Sequence, residues 1–554
     1  MDKIWLDSYP SGIPATINFD KYESLVDYVL QQCERYSEHA AYENFGSHLT
    51  YRELEIQSGY IAAYFQKVLQ LKKGDRVAIM LPNLMQYPIV MLGILRAGLI
   101  AVNINPMYTS FELARQLEDC GAVAIVVLER FAKTVQKALK QTKLQHVITT
   151  KIGDCLGPIK GVLFNWYIKL IKRKGRKGWL LKSTRFKQML KKGRNLKLDS
   201  VQLAHDDVAL LQYTGGTTGE PKAAVLSHLN LLANVSQCLT WFRTNLNEGE
   251  EVVVTALPLY HVFSLTCSLI FLGMGATALL ITDPRNTSQF VRTLSNNSFS
   301  VFIGLNTLFN SLLHNKHFKK VDFFRLKLTV SGGMALKKAV ADDWQKLTGN
   351  IVIEGYGLTE TSPVVCINPL TTKRFNGSVG LPTPATEVSI RNKSGKELVV
   401  GKIGELWVRG PQVMQGYWNR PEESSKVLVE GGWLRTGDIA RVDERGFVYL
   451  VDREKDMINV SGFNVYPSEI EDVIMHHPDV KEVAVVGAPS DRSGEEVKAF
   501  VVKKNKKLTE AMLLEYCHEH LTNYKIPSQI EFYRDLPKSS VGKVLHRVLR
   551  SKKS

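Results

Sequence analysis

The 554-residue sequence predicts an α/β protein. It is expected to have a large N-terminal domain of parallel-rich sheets with helices and a small β subdomain, then a small α+β C-terminal domain. Two observations lead to this prediction. Short apolar runs alternate with helical patterns, which is typical of parallel strands buried on both faces and covered by helices. After a charged stretch at 452–456, a second mixture of helix and strand patterns begins.

The elements of the large domain are predicted from its apolar runs. Between residues 20 and 150, strands are expected at 77–81 and 124–128, and a helix at 84–98 ends at Gly98. The alternation resumes after a basic segment, with strands expected at 208–213, 278–282, 302–305 and 328–333.

The chain changes in texture towards its C-terminal end. Short strands and turns such as GELWVRG and GFVYLVD predict a β subdomain at about 380–451. The DREKD stretch (452–456) is interpreted as a linker, so the large domain is expected to span 1–451 and the small domain 452–554.

The small domain has its own helix and strand patterns. SEIEDVIMHH is expected to begin a helix, because Ser468 and Glu471 have the spacing of a capping box. VKEVAVVGAP, VKAFVVKK and QIEFY are predicted strands, and LTEAMLLEYCHEHL is a predicted helix.

Several classes of protein are disfavoured by composition. The seven cysteines lie far apart without a Cys-x-x-Cys pair, which argues for a reducing cytosol and against a disulfide framework or cysteine-ligated metal. MDKIWLDSYPSG lacks the apolar core of a signal peptide.

No charged residue lies between Glu251 and Asp283, a length that could span a membrane. Because Pro258, Gly273 and Gly275 interrupt it, we expect buried elements there instead.

The net charge of +17 comes mostly from one segment. Lys and Arg number 71 against 54 Asp and Glu, yet residues 160–197 contain fourteen Lys or Arg and no Asp or Glu, which leaves +3 for the other 516 residues. Such a local excess argues against a general polyanion binder.

This basic insert, at about 155–198, also carries aromatic residues. Its apolar run at 161–171 is too short to span a bilayer, and a following helix is expected to present one apolar face. The apolar anchors of the run and of that helix are Trp166, Tyr167, Trp179, Phe186 and Leu190. Apolar anchors beside Lys and Arg favour docking to an anionic membrane surface, with a solvated loop as the alternative. Nucleic acid is not expected, because no base-reading module accompanies the charge.

The first candidate site is the run YTGGTTGEPK at 213–222, directly after the apolar run VALLQ. Its glycines allow several N–H groups to point inward, and its threonines and lysine add donors, so the loop is suited to a polyphosphate. It is not a Walker A loop, which requires GxxxxGK[ST]. The candidate phosphate-binding residues are Tyr213, Thr214, Gly215, Gly216, Thr217, Thr218, Gly219 and Lys222.

A second candidate is the run EGYGLTE at 354–360, which follows the apolar run IVI. The glycines beside Tyr356 leave room for a flat ligand to stack on its ring. Thr359 and Glu360 offer hydroxyl and carboxylate oxygens, the ligands that Mg²⁺ prefers beside phosphates.

Three weaker candidates lie in SGGMA (331–335), in TGD (436–438) and near the C-terminal end. Asp438 can accept hydrogen bonds from both hydroxyls of a ribose. Lys543 lies in PKSSVGK, where an isolated lysine is usually solvated.

Taken in order, YTGGTTGEPK, SGGMAL, EGYGLTE, LRTGD, DREKDMINVSGFNVYPSEIE and PKSSVGK resemble the adenylate-forming acyl-CoA synthetase superfamily. Within it, IWLDSYP, LKKGDRVAIMLPNLMQYP, GILRAG, NTLFN and SGFNVYP are similar to the bacterial long-chain fatty acyl-CoA synthetases, and the resemblance covers nearly the whole chain. It implies a ligase that acts in two steps. A fatty carboxylate attacks the α-phosphate of Mg·ATP, and the CoA thiol then displaces AMP from the acyl-adenylate.

The resemblance implies a role for each candidate residue. Residues 213–224 would surround the β- and γ-phosphates, with Thr218 and Glu360 at the magnesium. Lys543 would bridge the carboxylate and the α-phosphate, where it neutralises charge in the transition state. Thr359 is implied for the α-phosphate, and Asp438 and Arg453 for the ribose. The residues implied for the adenine are Gly333, Glu354, Gly355 and Tyr356. Asp452 matches the hinge of a mobile C-terminal domain, and Gly462 would line the pantetheine channel.

Two features depart from the family's pattern. Ala223 stands where the family usually has Gly after the motif lysine, so ordinary backbone dihedrals are expected there. His261, in LPLYH, matches the motif that shapes the acyl pocket, and the alternative is a satisfied core histidine. Some long-chain members have a tryptophan gate four residues later; Leu265 at that position argues against a gated tunnel.

The resemblance also implies partners. It implies ATP, CoA and a long-chain fatty acid as substrates and Mg²⁺ as cofactor, in an enzyme that feeds fatty acid uptake and β-oxidation or lipid synthesis. The cysteines and the basic insert predict a cytoplasmic enzyme at the inner face of the membrane, and a homodimer is left open. The alternatives are an aryl or medium-chain acid, loading of a free-standing carrier protein, or a silent lipid- or nucleotide-binding scaffold. The scaffold is disfavoured by the intact Thr218, Glu360, Asp438 and Lys543.

Overall fold

The computed structural model describes residues 3–171, 183–214, 221–460, 463–490, 494–539 and 542–551. The first strands are β1 (Ala40–Asn44), β2 (Ser47–Thr50), β3 (Arg76–Met80), β4 (Ile100–Asn103), β5 (Ala124–Leu128), β6 (His146–Thr150), β7 (Thr184–Arg185), β8 (Val208–Thr214) and β9 (Lys222–Ser227). The helices among them are α1 (Leu25–Arg35), α2 (Tyr51–Lys67), α3 (Gln86–Arg96), α4 (Ser110–Cys120), α5 (Ala132–Ala138), α6 (Pro158–Ile171), α7 (Phe186–Gly193) and α8 (His228–Phe242).

The alternation of strand and helix continues through the rest of the large domain. Its strands are β10 (Val252–Thr255), β11 (Thr277–Leu280), β12 (Val301–Gly304), β13 (Leu328–Ser331), β14 (Val352–Gly357), β15 (Val364–Ile367) and β16 (Leu381–Pro382). Its helices are α9 (Val262–Leu272), α10 (Thr287–Ser295), α11 (Asn306–Leu313) and α12 (Lys338–Thr348).

The β-rich region and the C-terminal domain follow. The first contains β17 (Glu387–Arg391), β18 (Gly404–Arg409), β19 (Gly416–Tyr417), α13 (Pro421–Val427), β20 (Leu428–Val429), β21 (Trp433–Val442) and β22 (Val448–Arg453). The second contains β23 (Ile458–Val460), β24 (Phe463–Val465), α14 (Pro467–Met475), β25 (Val480–Ser490), β26 (Gly494–Lys503), α15 (Glu510–His520), β27 (Gln529–Tyr533) and α16 (His546–Arg550).

Two sheets form the body of the large domain. Within the described chain, one has the order β16-β15-β14-β13-β12-β10-β11-β1-β2, and the other β19-β9-β8-β4-β3-β5-β6-β7. Their central neighbours, such as β3 with β5 and β12 with β13, run parallel and are almost entirely buried. A strand that is covered by helices on both faces has no side exposed to solvent, so its side chains are mostly apolar, as the continuous apolar runs indicated. The predicted α/β body is confirmed.

The smaller sheets hold the later strands. In the β-rich region the order is β17-β18-β21-β20, with β22 on β21, whereas β16 and β19 pair with β15 and β9 of the large sheets. The C-terminal domain has the order β24-β23-β26-β25, with β27 parallel to β26 and its own apolar core. The predicted α+β domain is therefore present, and the predicted β subdomain gives two of its short strands to its neighbours.

The capping box predicted at Ser468 and Glu471 is wrong. Ser468 Oγ donates to the carbonyl of Val451 at 2.6 Å, and Glu471 Oε1 accepts from the N–H of Val485 at 3.0 Å. Both side chains tie α14 to neighbouring strands, while the helix begins at Pro467, whose fixed φ suits a first helical position.

The helix after the basic run has the predicted apolar face, but the expectation that this face docks to a membrane is wrong, because it is buried. In α7, Phe186 is fully buried and Leu190 is partly buried against the core of the large domain. Gly193 lies so close to Tyr60 of α2 that a Cβ there would meet its carbonyl. The apolar side of α7 therefore packs on α2 and is not available to a membrane. Trp179 lies outside the described residues.

The uncharged stretch between residues 251 and 283 forms β10, α9 and β11, most of whose apolar side chains are buried. The expectation of buried elements there is confirmed. Throughout the described part of the chain, each helix is too short or too polar to span a membrane.

Candidate active site

A cavity of about 2270 Å³ lies between the large domain and the C-terminal domain. The predicted site residues that line it are Tyr213, Thr214, Lys222, His261, Gly333, Glu354, Gly355, Tyr356, Thr359, Glu360, Asp438, Asp452, Arg453 and Lys543. The remaining predicted residues, Gly215, Gly216, Thr217, Thr218, Gly219 and Gly462, lie outside the described part of the chain. Residues separated by more than 300 positions in sequence thus border one space.

The hairpin of β8 and β9 flanks the glycine-rich run. The two strands pair antiparallel, with Tyr213 opposite Ala223 and Thr214 opposite Lys222. Ala223 lies in this extended strand, as expected of a residue with ordinary dihedrals. The Tyr213 hydroxyl donates to Asp119 Oδ2 at 2.6 Å, so it anchors the hairpin to α4. Burial, reinforced by Cys120 and Asp119, raises the pKa of Tyr213 and keeps it a donor.

Lys222 stands at the start of the return strand. Its Nζ contacts the carboxylate of Glu423 and lies 5.4 Å from the centre of the Tyr417 ring. Burial, followed by the charge of Lys426, lowers the pKa of Lys222. An ammonium held among these groups is positioned for a polyanion that enters the cavity.

Asp438 forms the centre of a second group. Its Oδ2 accepts from the Tyr356 hydroxyl at 2.6 Å, and its Oδ1 lies 2.9 Å from Arg453 Nε. Asp438 and Arg453 face each other on the paired strands β21 and β22, while Tyr356 comes from β14 of the large sheet. This network joins three of the six residues that the resemblance assigned to adenine and ribose.

Glu354 is buried beside that group. Its Oε1 accepts from the N–H of Leu336 at 3.0 Å, and burial raises its pKa to about 8. The carboxyl is therefore largely protonated at neutral pH and can donate as well as accept a hydrogen bond. Such a neutral group suits the uncharged edge of a base.

Glu360 lies on the short turn after β14. Its Oε1 accepts from the Tyr417 hydroxyl at 2.8 Å, and its backbone carbonyl accepts from Met414 N at 2.8 Å. Thr359, the preceding residue, is half-buried and borders the cavity.

The residues present fit a magnesium that arrives with a polyphosphate. Among the described residues there is no group of three or more His, Cys, Asp or Glu side chains able to hold a metal alone. Mg²⁺ commonly takes one or two carboxylates and completes its shell with water and substrate phosphates. The carboxylate of Glu360, at the cavity and near Lys222, matches that requirement.

Lys543 enters the cavity from the C-terminal domain. A Cβ built on Gly333 would lie 3.8 Å from Lys543 Cε, so the lysine stem lies beside this glycine. Thr307 Oγ1 donates to the carbonyl of Gly542 at 3.2 Å and fixes the loop on the large domain. Desolvation in the cavity, with the charge of Arg453 next in importance, lowers the pKa of Lys543 to about 8.

His261 lies at the first turn of α9. Its Nδ1 accepts from the N–H of Phe263 at 3.4 Å. Withdrawal from water, together with the nearby charge of Lys543, lowers the pKa of His261 to about 4, so the imidazole is neutral at neutral pH. His261 is both an N-cap of its helix and part of the cavity wall.

An apolar arm of the cavity continues along α8 and α9. It is lined by Cys238 and Phe242 of the first helix and Cys267 and Ile270 of the second. Leu265 lies on α9 but borders a separate apolar void of about 30 Å³. The position at which some family members carry a gate thus faces away from the main cavity.

Asp452 lies on β22, where the β-rich region meets the C-terminal domain, and its carboxylate accepts from two backbone N–H groups. Its Oδ2 accepts from Ser468 N at 3.0 Å at the start of α14, and its Oδ1 accepts from Arg453 N at 2.7 Å. Burial raises the pKa of Asp452.

Three residues that matter for this geometry were not predicted from the sequence. Asp119 holds Tyr213, Tyr417 holds Glu360, and Lys337 pairs with Asp472 of the C-terminal domain. None of them lies in a run with a phosphate-binding or metal-binding spacing. The one signal was the aromatic and charged run GYWNRPEE around Tyr417.

The fold and the site define the class of protein. Residues 29–418 match the family described as AMP-binding enzyme, and residues 469–543 match the AMP-binding enzyme C-terminal domain. The chain belongs to the AMP-binding enzyme family, which confirms the superfamily that the ordered motifs indicated.

The chain is similar over its full length to named ligases. It is 51% identical to a long-chain-fatty-acid–CoA ligase of Escherichia coli O157:H7 over 551 residues, which is 99% of this chain and 98% of that one. It is 47% identical to the protein of the same name in Haemophilus influenzae, again over 99% and 98% of the two chains. The resemblance to long-chain fatty acyl-CoA synthetases is confirmed.

Solved structures agree with the fold. The anthranilate CoA ligase AuaEII in complex with anthranoyl-AMP superposes with a TM-score of 0.85 at 26% identity, covering 97% of this chain and 98% of that one. ATP-bound MatB from Rhodopseudomonas palustris gives a TM-score of 0.80 at 28% identity, covering 95% and 98%.

Proposed function

We propose that this protein is an ATP-dependent, AMP-forming ligase that converts long-chain fatty acids to acyl-CoA. The observation that carries the proposal is the position of Lys543, which enters the cavity beside Gly333 and lies near enough to Asp438 and His261 to interact electrostatically with both. The full-length relatives named long-chain-fatty-acid–CoA ligases support it. They do not favour an aryl acid or a carrier protein.

The reaction needs no side-chain nucleophile. In the first step a carboxylate oxygen attacks the α-phosphorus of ATP, the bond to the β-phosphate breaks, and pyrophosphate leaves. In the second step the CoA sulfur attacks the acyl carbonyl carbon, the bond to AMP breaks, and the thiol proton goes to solvent. The enzyme therefore acts by orientation and by neutralising charge.

Lys543 supplies the charge for the first step. Its ammonium enters a cavity that must hold two anions, the carboxylate and the triphosphate, at close approach. A cation between them offsets their repulsion and stabilises the negative charge of the transition state. The low dielectric that lowers the pKa of Lys543 also strengthens this attraction.

The apolar arm suits the acyl chain. It begins near His261, whose neutral imidazole adds no charge to a lipid channel, and continues between α8 and α9. Cys238 and Ile270 give it small and aliphatic walls. We assign the acyl chain to this arm on shape and polarity.

The nucleotide would occupy the other side of the cavity. Asp438 and Arg453 would hold the ribose, Gly333, Glu354, Gly355 and Tyr356 the adenine, and Thr359 the α-phosphate, as the resemblance implied. Lys222 and the run at 215–220 would surround the outer phosphates. Mg²⁺ would be held by Glu360 and Thr218 together with those phosphates, and when bound it would neutralise them.

The second step needs a path for CoA. Asp452 lies where the last strand of the β-rich region meets the C-terminal domain, and we propose it as the hinge between 1–451 and 452–554. Rotation there would withdraw Lys543 and admit the thiol past Gly462. Such a motion would let the cavity exclude water in the first half-reaction and open to CoA in the second.

We also propose that α6 docks the enzyme on the inner face of the cytoplasmic membrane. Phe164, Asn165 and Lys160 fasten α6 to the large domain, since the rings of Phe164 and Phe45 lie 4.9 Å apart and Asn165 Oδ1 accepts from Gly153 N at 3.0 Å. Its outer face exposes side chains three and four positions apart: Ile159, Val162, Leu163, Trp166, Tyr167 and Leu170.

This face has the chemistry of a membrane anchor. Trp166 is 59% exposed, and every charged residue of the segment 160–197 around it is Lys or Arg. An apolar helix face beside Lys and Arg suits anionic lipid. It would bring the enzyme to a substrate that partitions into the bilayer.

The experiment that tests the function measures AMP release. The purified enzyme is incubated with ATP, Mg²⁺, CoA and acids of increasing chain length. CoA-dependent release that is greatest for long-chain acids supports the proposal. Release with aryl or short acids alone, or no release with any acid, would overturn it.

A further inference from the structure

One short segment, 414–418, contacts both the turn that carries Glu360 and the strand that begins at Lys222. Met414 N donates to the carbonyl of Glu360 at 2.8 Å, and Trp418 N donates to the carbonyl of Ala223 at 2.8 Å. Between them, β19 pairs with β9, with Tyr417 opposite Ala224. The segment 414–418 therefore spans the distance from the turn that carries Glu360 to the strand that begins at Lys222.

The side chain of Tyr417 makes the same connection. Its hydroxyl donates to Glu360 Oε1 at 2.8 Å, while the face of its ring lies 5.4 Å from Lys222 Nζ. Its own N–H donates to Ser424 Oγ at 2.8 Å, which fixes the residue on α13. Burial, with the charge of Glu360 next, raises the pKa of Tyr417, so the phenol stays a donor at neutral pH.

We propose that Tyr417 is a positioning residue for Mg·ATP: its hydroxyl orients the Glu360 carboxylate and its ring holds the Lys222 ammonium. The inference rests on the proposed function, because it needs this side of the cavity to bind Mg·ATP. Tyr417 itself contacts neither metal nor phosphate in the proposal. It acts through one anion and one cation, which bind the two parts of the ligand.

Two variants separate the two contacts. Tyr417→Phe removes the hydroxyl and keeps the ring, whereas Tyr417→Leu removes both. Tyr449→Phe is a matched control, because the Tyr449 hydroxyl also donates to a carboxylate, that of Asp443, at 3.2 Å on a strand of the β-rich region. ATP binding to each full-length protein is measured by calorimetry, once with excess Mg²⁺ and once with EDTA.

The hydroxyl should matter when metal is present. For Tyr417→Phe we expect Mg·ATP affinity to fall about 10- to 100-fold, the usual effect of losing a group that orients a metal ligand, with metal-free ATP affinity within about twofold of wild type. Tyr417→Leu should also weaken metal-free binding by about two- to fivefold, since it loses the cation–π contact. Tyr449→Phe should bind like wild type in both conditions.

The ratio of the two affinities distinguishes positioning from damage to the fold. An equal loss with and without Mg²⁺, or no loss in Tyr417→Phe, would overturn the inference. If wild type itself binds no Mg·ATP, the proposed function fails instead. If wild type binds Mg·ATP and the ratio of Mg·ATP affinity to metal-free ATP affinity is the same in Tyr417→Phe, the positioning role of Tyr417 is rejected and the proposed function stands.

Discussion

Lys337 of the large domain and Asp472 of the C-terminal domain form an ion pair across the cavity, with 2.7 Å between Nζ and Oδ1. Burial lowers the pKa of Lys337, but the carboxylates of Glu471 and Asp472 outweigh it, and the net pKa is raised. Glu471 Oε1 also lies 2.9 Å from His546 Nε2, three residues beyond Lys543. The pair therefore connects the large domain to the part of the small domain that carries Lys543.

Breaking this pair should slow the first half-reaction alone. In Lys337→Gln the C-terminal domain loses a charged contact in the arrangement that places Lys543 in the cavity, so we expect pyrophosphate formation to fall about five- to tenfold. Conversion of supplied acyl-adenylate to acyl-CoA should be unchanged, because the proposed rotation at Asp452 would already separate this pair in that step. Single-turnover assays of each step provide the measurement.

Lys338→Gln is the control for that experiment. Lys338 is the next residue and pairs with Asp342 within α12, at 2.5 Å between Nζ and Oδ2. It should leave both half-reactions as in wild type. Equal slowing of both steps in Lys337→Gln would contradict the assignment of the pair to the first step.

The protonation of Lys543 should limit the first half-reaction at high pH. The pKa of Lys543 is lowered to about 8, and the cation is the form that offsets the two anions. Raising the pH through 8 removes this proton, so kcat/KM for ATP should fall above pH 8, by about tenfold per pH unit in the limit.

Lys543→Arg tests this directly, because a guanidinium stays charged over the whole range. The variant should be slower than wild type and should lack the alkaline decline. Lys543→Ala should lose about 10²- to 10³-fold in adenylate formation and keep the thioester step. The same alkaline limb in Lys543→Arg would assign the pH dependence to another group.

The length of the apolar arm should set the chain length of the acid. Cys238 is fully buried and lines the arm from α8, so Cys238→Phe would fill part of it. We expect kcat/KM to shift towards shorter acids, with at least about a tenfold loss for the longest, since a misfitting methylene costs about 1 kcal/mol or more. AMP release across an acid series gives the profile.

Leu265→Ala gives the contrasting case. Leu265 borders the separate void, so its truncation should lower the free energy of unfolding by about 2–4 kcal/mol and leave the chain-length profile unchanged. A shifted profile in Leu265→Ala would mean that the void and the arm communicate.

The sequence predicted the strands well because burial on both faces demands continuous apolar runs, as in β5, whose observed bounds equal the predicted 124–128. The sequence mispredicted the environment of Phe186, because the same apolar helix face can pack on a protein core or on a membrane. The Tyr417–Glu360 and Lys337–Asp472 contacts join residues 57 and 135 positions apart. No local spacing encodes them, since the fold alone brings these residues together.

The exposed face of α6 should be required for membrane binding. Leu163 and Trp166 are each 59% exposed on it, and replacing both with Glu adds negative charge where anionic lipid is expected. We expect the double variant to lose about tenfold or more in binding to vesicles of phosphatidylglycerol and phosphatidylcholine, measured by sedimentation. Its thermal unfolding midpoint should match that of wild type, because both side chains project from the surface.

Phe324→Glu is the matched control, since Phe324 is 93% exposed at a site outside α6 and its loss should leave vesicle binding intact. High salt should also release the wild-type protein from the vesicles. At 1 M salt the Debye length is about 3 Å, so the attraction between the basic segment and the anionic lipid is screened. Binding that is equal on neutral vesicles, or that survives in the α6 double variant, would exclude this face as the anchor. Loss in both variants would instead indicate a general effect of added negative charge.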